Sequence, residues 1–386
     1  MKLLKDQTDP LYVNDPVSHE RGRGCWVEVD TGAIRNNYRQ LRRNLPPQVK
    51  VYGCLKRNGY GCGTGVVASV LTQESIDGFA VASIADAVAI RERGVSKPIL
   101  LYPGPGLEDA GSIARYDLTI TISSIEELLQ WRRALTMVKA FMKLDLGFYR
   151  AGATPACMPE LLQAAAQFPD VKVLGLYAHM SELPGSSADQ ARLQLATMRA
   201  TLSTLEAVGH RPPLVMMSSS EGVLHHPEMD FDAVDPGALL FGISDDFEPA
   251  RPMALQPALK TIASRLVSIK RVDASLGPLP AGLGFRPGMV LGVMAMGWGD
   301  GLPRHLPEGA VGLVRERRAR LFGPTHLEHV RIDLTDIPEV RCGDEVVLLG
   351  RQGNAVITHD ELTAGLGTDL IGLYAGLRDH IPKFYV

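Results

Sequence analysis

From Cys25 onward the chain alternates two textures. WVEVD switches apolar and polar residues with the period of a strand, and after Thr31, a candidate cap, AIRNNYRQLRRNL spaces its apolar residues as a helix does. The pairing then recurs as VKVYGCLK with VVASVLTQE, DGFAVAS with IADAVAIRERG, KPILLYPG with EDAGSIARY, and LTITISS with IEELLQWRRAL. It continues as AFMKLDLG with PELLQAAAQF, VLGLYAHMS with ARLQLATMRATLSTLEAVG, and LVMMSSS. Repeated βα units predict a parallel sheet, and about eight of them predict a closed barrel. After about residue 250 the runs shorten to TIASRLVSIKRV, MVLGVMAMGWG, AVGLVRE, EHVRIDL and EVVLLG, separated by Gly, Pro and Asp turns, which predicts a mainly β domain. The expected organisation is an N-terminal extension over 1–25, a (β/α)8 barrel over 26–252 and a C-terminal β-rich domain over 253–386. The boundary falls between Pro249 and Pro257.

Composition narrows the class. In 386 residues, 45% hydrophobic and 22% charged is the balance of a soluble globular protein, and a formal net charge of -3 offers no basic field for nucleic acid. Five cysteines without CxxC spacing predict reduced thiols and no metal centre, and MKLLKDQTDP lacks the apolar stretch of a signal peptide. No apolar run is long enough to span a bilayer. The expectation is a cytoplasmic protein with no nucleic-acid or membrane partner.

The segment VYGCLKRNGYGCG sets Lys56 at the end of an apolar strand, before a Gly-rich turn. Chemistry in parallel barrels is done at the carboxyl ends of strands, and a desolvated lysine there can lose its proton and attack an aldehyde. Taken alone, such a residue is more often a surface lysine, and its neighbours along the chain decide the matter.

VEVDTGAIRNNYRQLR followed by VYGCLKRNGYGCG resembles the amino terminus of alanine racemases, in which the lysine of a VVKANAYGHG-type segment carries pyridoxal 5'-phosphate (PLP). KLDLGFYRAG (143–152) resembles KVDTGMxRxG, LYAHMS (176–181) a THF segment, and GWGDGLPR (297–304) the GYADGxxR motif. GDEVVLLGRQG, ITHDEL and LGT resemble the closing segments, so the likeness covers nearly the whole chain from about residue 26, in order. The resemblance implies a PLP-binding (β/α)8 barrel with a C-terminal mainly β domain. It also implies an amino-acid substrate and a head-to-tail homodimer with shared active sites. By motif position it makes Lys56 the Schiff-base lysine and a catalytic base, Tyr60 a phosphate contact, and Arg150 the arginine near the phenolic oxygen and substrate carboxylate. It makes His179 a histidine facing the ring, and Ser220, Gly237 and Ala238 the phosphate cradle. Lys143 stands where some members carry a carbamylated lysine.

Three positions depart from the pattern. The racemases' opposite-face tyrosine is missing: no tyrosine lies between Tyr177 and Tyr374, and LGPLPAGLGFRPG (276–288) offers no good proton acceptor. Asp235, in VDPGALLFG, replaces the arginine beside the pyridine nitrogen; a carboxylate favours protonation there and makes the ring a stronger electron sink. An Asp before Pro is also a common turn opener. FGPTHLEH (322–329) stands where racemases have GRxCMDQ and also resembles a GPTC segment of the ornithine decarboxylase-like family. It puts His326 in place of a partner-subunit cysteine, Leu327 beside the substrate in place of methionine, and Glu328 next to both. A histidine is a competent acid or base at neutral pH, though a loop histidine at a dimer surface fits equally. Ile371 holds the place of a phosphate-contacting tyrosine.

The expected function is therefore an amino-acid racemase that exchanges the α-proton with Lys56 on one face and His326 of the neighbouring subunit on the other. Its expected substrate is other than, or broader than, alanine, since Leu327 and the missing tyrosine change the pocket. The alternative is a PLP-dependent decarboxylase, suggested by Asp235 and the GPTH segment. A PLP-binding protein without catalysis is a third reading, disfavoured by retention of Lys56, Arg150, His179 and Asp235.

Overall fold

In the computed structural model of the protein, the described residues are 24–181, 188–244, 248–273, 275, 277–280 and 282–386. The expected N-terminal extension therefore lies almost wholly outside the described residues. The chain divides into two compact units, each described here by itself. One comprises Ala33–Gly59 and Thr64–Gln256; the other comprises 24–32, Tyr60–Gly63 and Pro257–Val386.

The first strand, β1 (Cys25–Val29), belongs to the second unit. The first unit holds eight parallel strands: β2 (Lys50–Cys54), β3 (Gly78–Val81), β4 (Ile99–Leu101), β5 (Ile120–Ile122), β6 (Val138–Lys143), β7 (Val171–Tyr177), β8 (Val215–Ser218) and β9 (Ala233–Val234). Their spatial order is β4-β3-β2-β9-β8-β7-β6-β5. A parallel bridge between Leu100 and Thr119, with Leu101 N donating to Thr119 O at 2.7 Å, joins the two ends and closes the ring. Helices between successive strands complete an α/β barrel, as the alternating sequence predicts.

The barrel interior is filled, so chemistry is confined to one end. Tyr52, Ala80, Leu100, Phe141, Tyr177, Met216 and Ala233 form one buried cluster drawn from seven strands. Gly175 sits opposite Phe141 in the β6–β7 ladder, and a Cβ there would lie 2.3 Å from the Phe141 ring, so the missing side chain is what lets that ring lie across the sheet. One local expectation is corrected: the first helix spans Thr31–Asn44, and the Thr31 hydroxyl donates to Val386 O (3.1 Å) instead of capping. The carboxyl-terminal carbonyl competes successfully for that hydroxyl.

The second unit is a nine-stranded sheet built on β10 (Leu259–Arg271). Its other members are β11 (Val290–Met294), β12 (Val311–Val314), β13 (Arg317–Phe322), β14 (Val330–Asp333), β15 (Glu345–Gln352), β16 (Ala355–Ile357) and β17 (Lys383–Tyr385). The order is β16-β15-β12-β13-β14-β11-β10-β1-β17, so WVEVD pairs with β10 and β17 and not with the barrel strands. Among the described residues, no helix is long and apolar enough to cross a membrane and no cluster suits a metal ion.

Candidate active site

The carboxyl ends of the barrel strands bring Lys56, Lys143 and Asp235 together. Lys56 follows β2 by one residue and opens an unusual turn: Arg57, Asn58 and Gly59 all take left-handed dihedrals (φ 53, 54 and 57). For residues with a Cβ this costs roughly 1–2 kcal/mol each, so something must hold it. Asp86 does, through Oδ1, which accepts from Asn58 N (3.1 Å) and Thr64 Oγ1 (2.7 Å), while Asn58 Oδ1 accepts from Thr64 N (3.0 Å). Ser83 Oγ in turn donates to Asp86 Oδ2 (2.8 Å) and caps the following helix. Glycine at 59 takes its share of the run without the strain of a side chain, and a Cβ there would press on Thr64 N at 3.1 Å.

Lys56 Nζ lies 5.5 Å from the centre of the Tyr102 ring, just beyond β4. The Tyr102 hydroxyl donates to Asp235 Oδ2 at 2.6 Å. Asp235 Oδ1 is buried with no hydrogen-bond partner among the described residues. Burial raises the Asp235 carboxyl to about 6, against the pull of the Tyr102 hydrogen bond and the charges on Lys56 and Lys143. Such an oxygen is costly unless a ligand donates to it. A protonated ring nitrogen is a donor of the required kind.

Lys143 ends β6, is only 6% exposed, and holds Nζ 5.2 Å from the Tyr177 ring centre. Burial, then the charge on Arg150, lowers its ammonium to about 8. Tyr177 shares a 2.9 Å hydrogen bond with Thr121 Oγ1, and burial pushes its hydroxyl far up, so it stays a neutral phenol. Arg150 is exposed and its guanidinium stacks 4.4 Å over Phe148, in a loop whose first turn is tied by Asp145 Oδ1 to the backbone N–H groups of Gly147, Phe148 and Tyr149. His179 lies 6.0 Å from the Phe148 ring, and burial, then the cations Arg150, Lys56 and Lys143, lowers it to about 3. It is a neutral imidazole at any physiological pH, suited to stacking and hydrogen bonding but not to holding a positive charge. On the opposite side Ser220 Oγ accepts from Gly237 N (3.0 Å) and Leu239 N (3.3 Å), drawing together a hydroxyl and the first turn of the 3₁₀ helix Ala238–Phe241.

The barrel unit thus brings together Lys56, Lys143, Arg150, His179, Ser220, Asp235, Gly237 and Ala238. Tyr60, in the second unit, continues the left-handed run (φ 52). Also in the second unit, His326, Leu327 and Glu328 are exposed on the loop between β13 and β14, Leu327 at 52%. That loop is fixed by its backbone: Trp298 N donates to His326 O (3.0 Å) and Gly299 N to Leu327 O (2.8 Å). A Cβ at Gly297 would lie 2.1 Å from His326 O. Ile371 is half exposed on the same unit. Tyr102, Thr121 and Tyr177 are site residues that sequence reasoning missed; each stands at or just past the end of a predicted strand, and that position alone was the available signal.

Family models described as alanine racemase, N-terminal domain, and alanine racemase, C-terminal domain, match residues 29–245 and 283–385. An alanine racemase of Pseudomonas taetrolens is 33% identical over 93% of this chain and 98% of its own, and one of Symbiobacterium thermophilum is 31% identical over 94% and 97%. Among solved structures, an alanine racemase from E. faecalis superposes with a TM-score of 0.83 at 26% identity, covering 95% of this chain and 99% of that one.

Proposed function

Since the chain belongs to the alanine racemase family and is a PLP-dependent amino-acid racemase, we propose that it interconverts the enantiomers of alanine, with the residues at the barrel mouth in the following roles. The relatives' names support alanine, whereas a substrate other than or broader than alanine, expected from Leu327 and the missing tyrosine, and the decarboxylase alternative find no support in them.

The observation that carries the site assignment is the bare, buried Oδ1 of Asp235 beside Lys56. It fits the ring nitrogen of PLP, as Lys56 fits its aldehyde carbon and Ser220, Gly237 and Ala238 its phosphate. Bound PLP supplies a carbonyl that condenses with amines and a ring that accepts the electron pair left when Cα loses its proton. The protein does the rest. Lys56 would hold the aldehyde carbon and, with substrate bound, would take or return the Cα proton on its side. Arg150 offers a planar fork to the substrate carboxylate. His179, neutral, would offer the ring face an uncharged imidazole. Lys143, with its ammonium lowered to about 8, has the neutral amine fraction that carbamylation requires, and the resulting anion would pair with Arg150.

The opposite face needs a second proton carrier, and the chain lacks the usual tyrosine. Its exposed, backbone-anchored position supports His326 of a neighbouring subunit in a homodimer as that carrier, with Leu327 and Glu328 beside the substrate. The test is incubation of the PLP-loaded protein with L- and D-alanine in deuterated water, followed by chiral separation and mass analysis. Both enantiomers should reach a racemate carrying α-deuterium. No exchange with alanine, or carbon dioxide release instead, would overturn the reading.

A further inference from the structure

Asp235 is held from both sides. Its backbone N–H donates to Ser218 O (2.9 Å), and its Oδ2 takes the Tyr102 phenol proton at 2.6 Å. Tyr102 is itself pinned, its N–H donating to Val81 O (2.8 Å) and its ring lying 5.8 Å from that of Tyr177. The two residues are 133 apart in sequence and come from opposite flanks of β2 and β3, so their pairing is a product of barrel closure. Among the described residues, Lys56, Lys143, Tyr177 and the buried Cys54 thiol also face Asp235. Burial drives both the phenol and that thiol up, so near neutrality both stay neutral and the Tyr102 hydroxyl is a strong neutral donor to the carboxyl.

A carboxylate that accepts a short phenol hydrogen bond on one oxygen is a weaker base at the other. The proton between Oδ1 and a ring nitrogen can rest on either atom, and the donor on Oδ2 tips the balance toward nitrogen. Without that donor, a carboxylate buried in an apolar barrel gains basicity and draws the proton to itself.

The geometry points to Tyr102 as a positioning residue that acts through Asp235: its hydroxyl orients Oδ1 toward the cofactor ring and keeps the shared proton on the ring nitrogen. This rests on the PLP reading of the same site and adds a residue to it. No proton changes hands with any other group, so charge balances within the pair.

The experiment compares wild-type, Tyr102→Phe and Asp235→Asn holoenzymes loaded with PLP labelled with ¹⁵N in the ring, recording the nitrogen chemical shift at pH 7. Wild type should show the shift of a protonated ring. Asp235→Asn should show that of a free ring, and Tyr102→Phe should move a large fraction of the way toward it while PLP affinity changes less than tenfold. An unchanged shift in Tyr102→Phe overturns the proposal, because the phenylalanine ring preserves the packing and removes only the hydroxyl. An unprotonated ring in wild type also overturns it. Borohydride reduction of each holoenzyme and mass analysis of the Lys56 peptide separates the two levels: no adduct in wild type removes the PLP reading itself, whereas an adduct with the wrong nitrogen shift removes only the role of Tyr102.

Discussion

Replacing Asp86 with alanine should disorganise the site from behind, without touching a group that meets substrate. Asp86 is 8% exposed and its carboxylate accepts from Asn58 N, Thr64 Oγ1 and Ser83 Oγ. Removal of the acceptor leaves three donors, of which Thr64 is 1% exposed and has Leu55 O at 3.5 Å as a poor substitute. A hydrogen bond to a charged group contributes about 1.5–3 kcal/mol, and a buried donor left bare costs about 1–3 kcal/mol. Because the three share one carboxylate and two can reach water, the expected loss is about 3 kcal/mol, well below the sum of the separate terms. The left-handed turn adds a signature of its own. Strain at Arg57 and Asn58 is opposed by Asp86, and the exposed Arg57 side chain carries none of the turn's hydrogen bonds, so Arg57→Gly should recover on the order of 1 kcal/mol in the Asp86→Ala background, more than it gains in wild type.

Urea titration followed by Trp131, in a Trp26→Phe, Trp298→Phe background, reports the barrel unit alone, since the three tryptophans are then reduced to the one in the helix Ile125–Ala134. The yield of borohydride-fixed PLP on Lys56 should fall alongside stability. A midpoint within 0.5 kcal/mol of wild type, with a full yield of adduct, would show that the turn does not depend on Asp86.

Other outcomes follow from the same geometry. Lys143 has a folded value near 8 against an ordinary 10.5, so the unfolded chain binds more protons between those values and stability should rise with pH across that window. Lys143→Met should therefore stabilise the PLP-free protein at pH 7 by at most about 3 kcal/mol, a gain that shrinks toward pH 10 in urea titrations. Asp235 runs the other way: its folded value near 6 lies above the ordinary 3.8, so its burial favours the fold fully at low pH and this contribution is lost as pH rises through 6. Asp235→Asn should raise PLP-free stability at pH 7 and converge on wild type near pH 4. His326→Gln should slow α-proton exchange more than tenfold from one enantiomer while leaving PLP affinity within twofold, and equal slowing from both would refute its one-sided role.

The barrel was legible because eight parallel strands buried on both faces must be written as apolar runs, with helices between them. Lys56, Arg150 and Ser220 could be singled out from the sequence because each sits in a short contiguous segment whose spacing is fixed by a single turn. Tyr102 was not. In KPILLYPG it reads as one more strand aromatic, and only closure of β4 and β9 into one ring sets it 2.6 Å from Asp235. The place of WVEVD was hidden for a similar reason: alternation marks a strand but does not name its neighbour, and β10 lies more than two hundred residues on. Nor does sequence show that Arg57 and Asn58 are left-handed, since neither carries the glycine that usually announces such a turn.

The loop that presents His326 is anchored around that residue through main-chain atoms, its carbonyls engaged by Trp298 and Gly299 and its amide by His329 O at 2.8 Å, and beside it through the Thr325 hydroxyl, which donates to Pro303 O at 2.9 Å. The side chain at 326 therefore carries little of the loop's architecture. That makes the position a socket: cysteine, histidine or another proton carrier can occupy it while the frame stays the same, at a stability change of surface size, within about 0.5 kcal/mol. Conversely, Gly297 admits no replacement, since any side chain there would collide with the carbonyl that holds the socket in place. Under the role proposed for His326, single substitutions there would alter the proton carrier without altering the scaffold. A saturation library at that one position would therefore test the proposed role while sparing the fold.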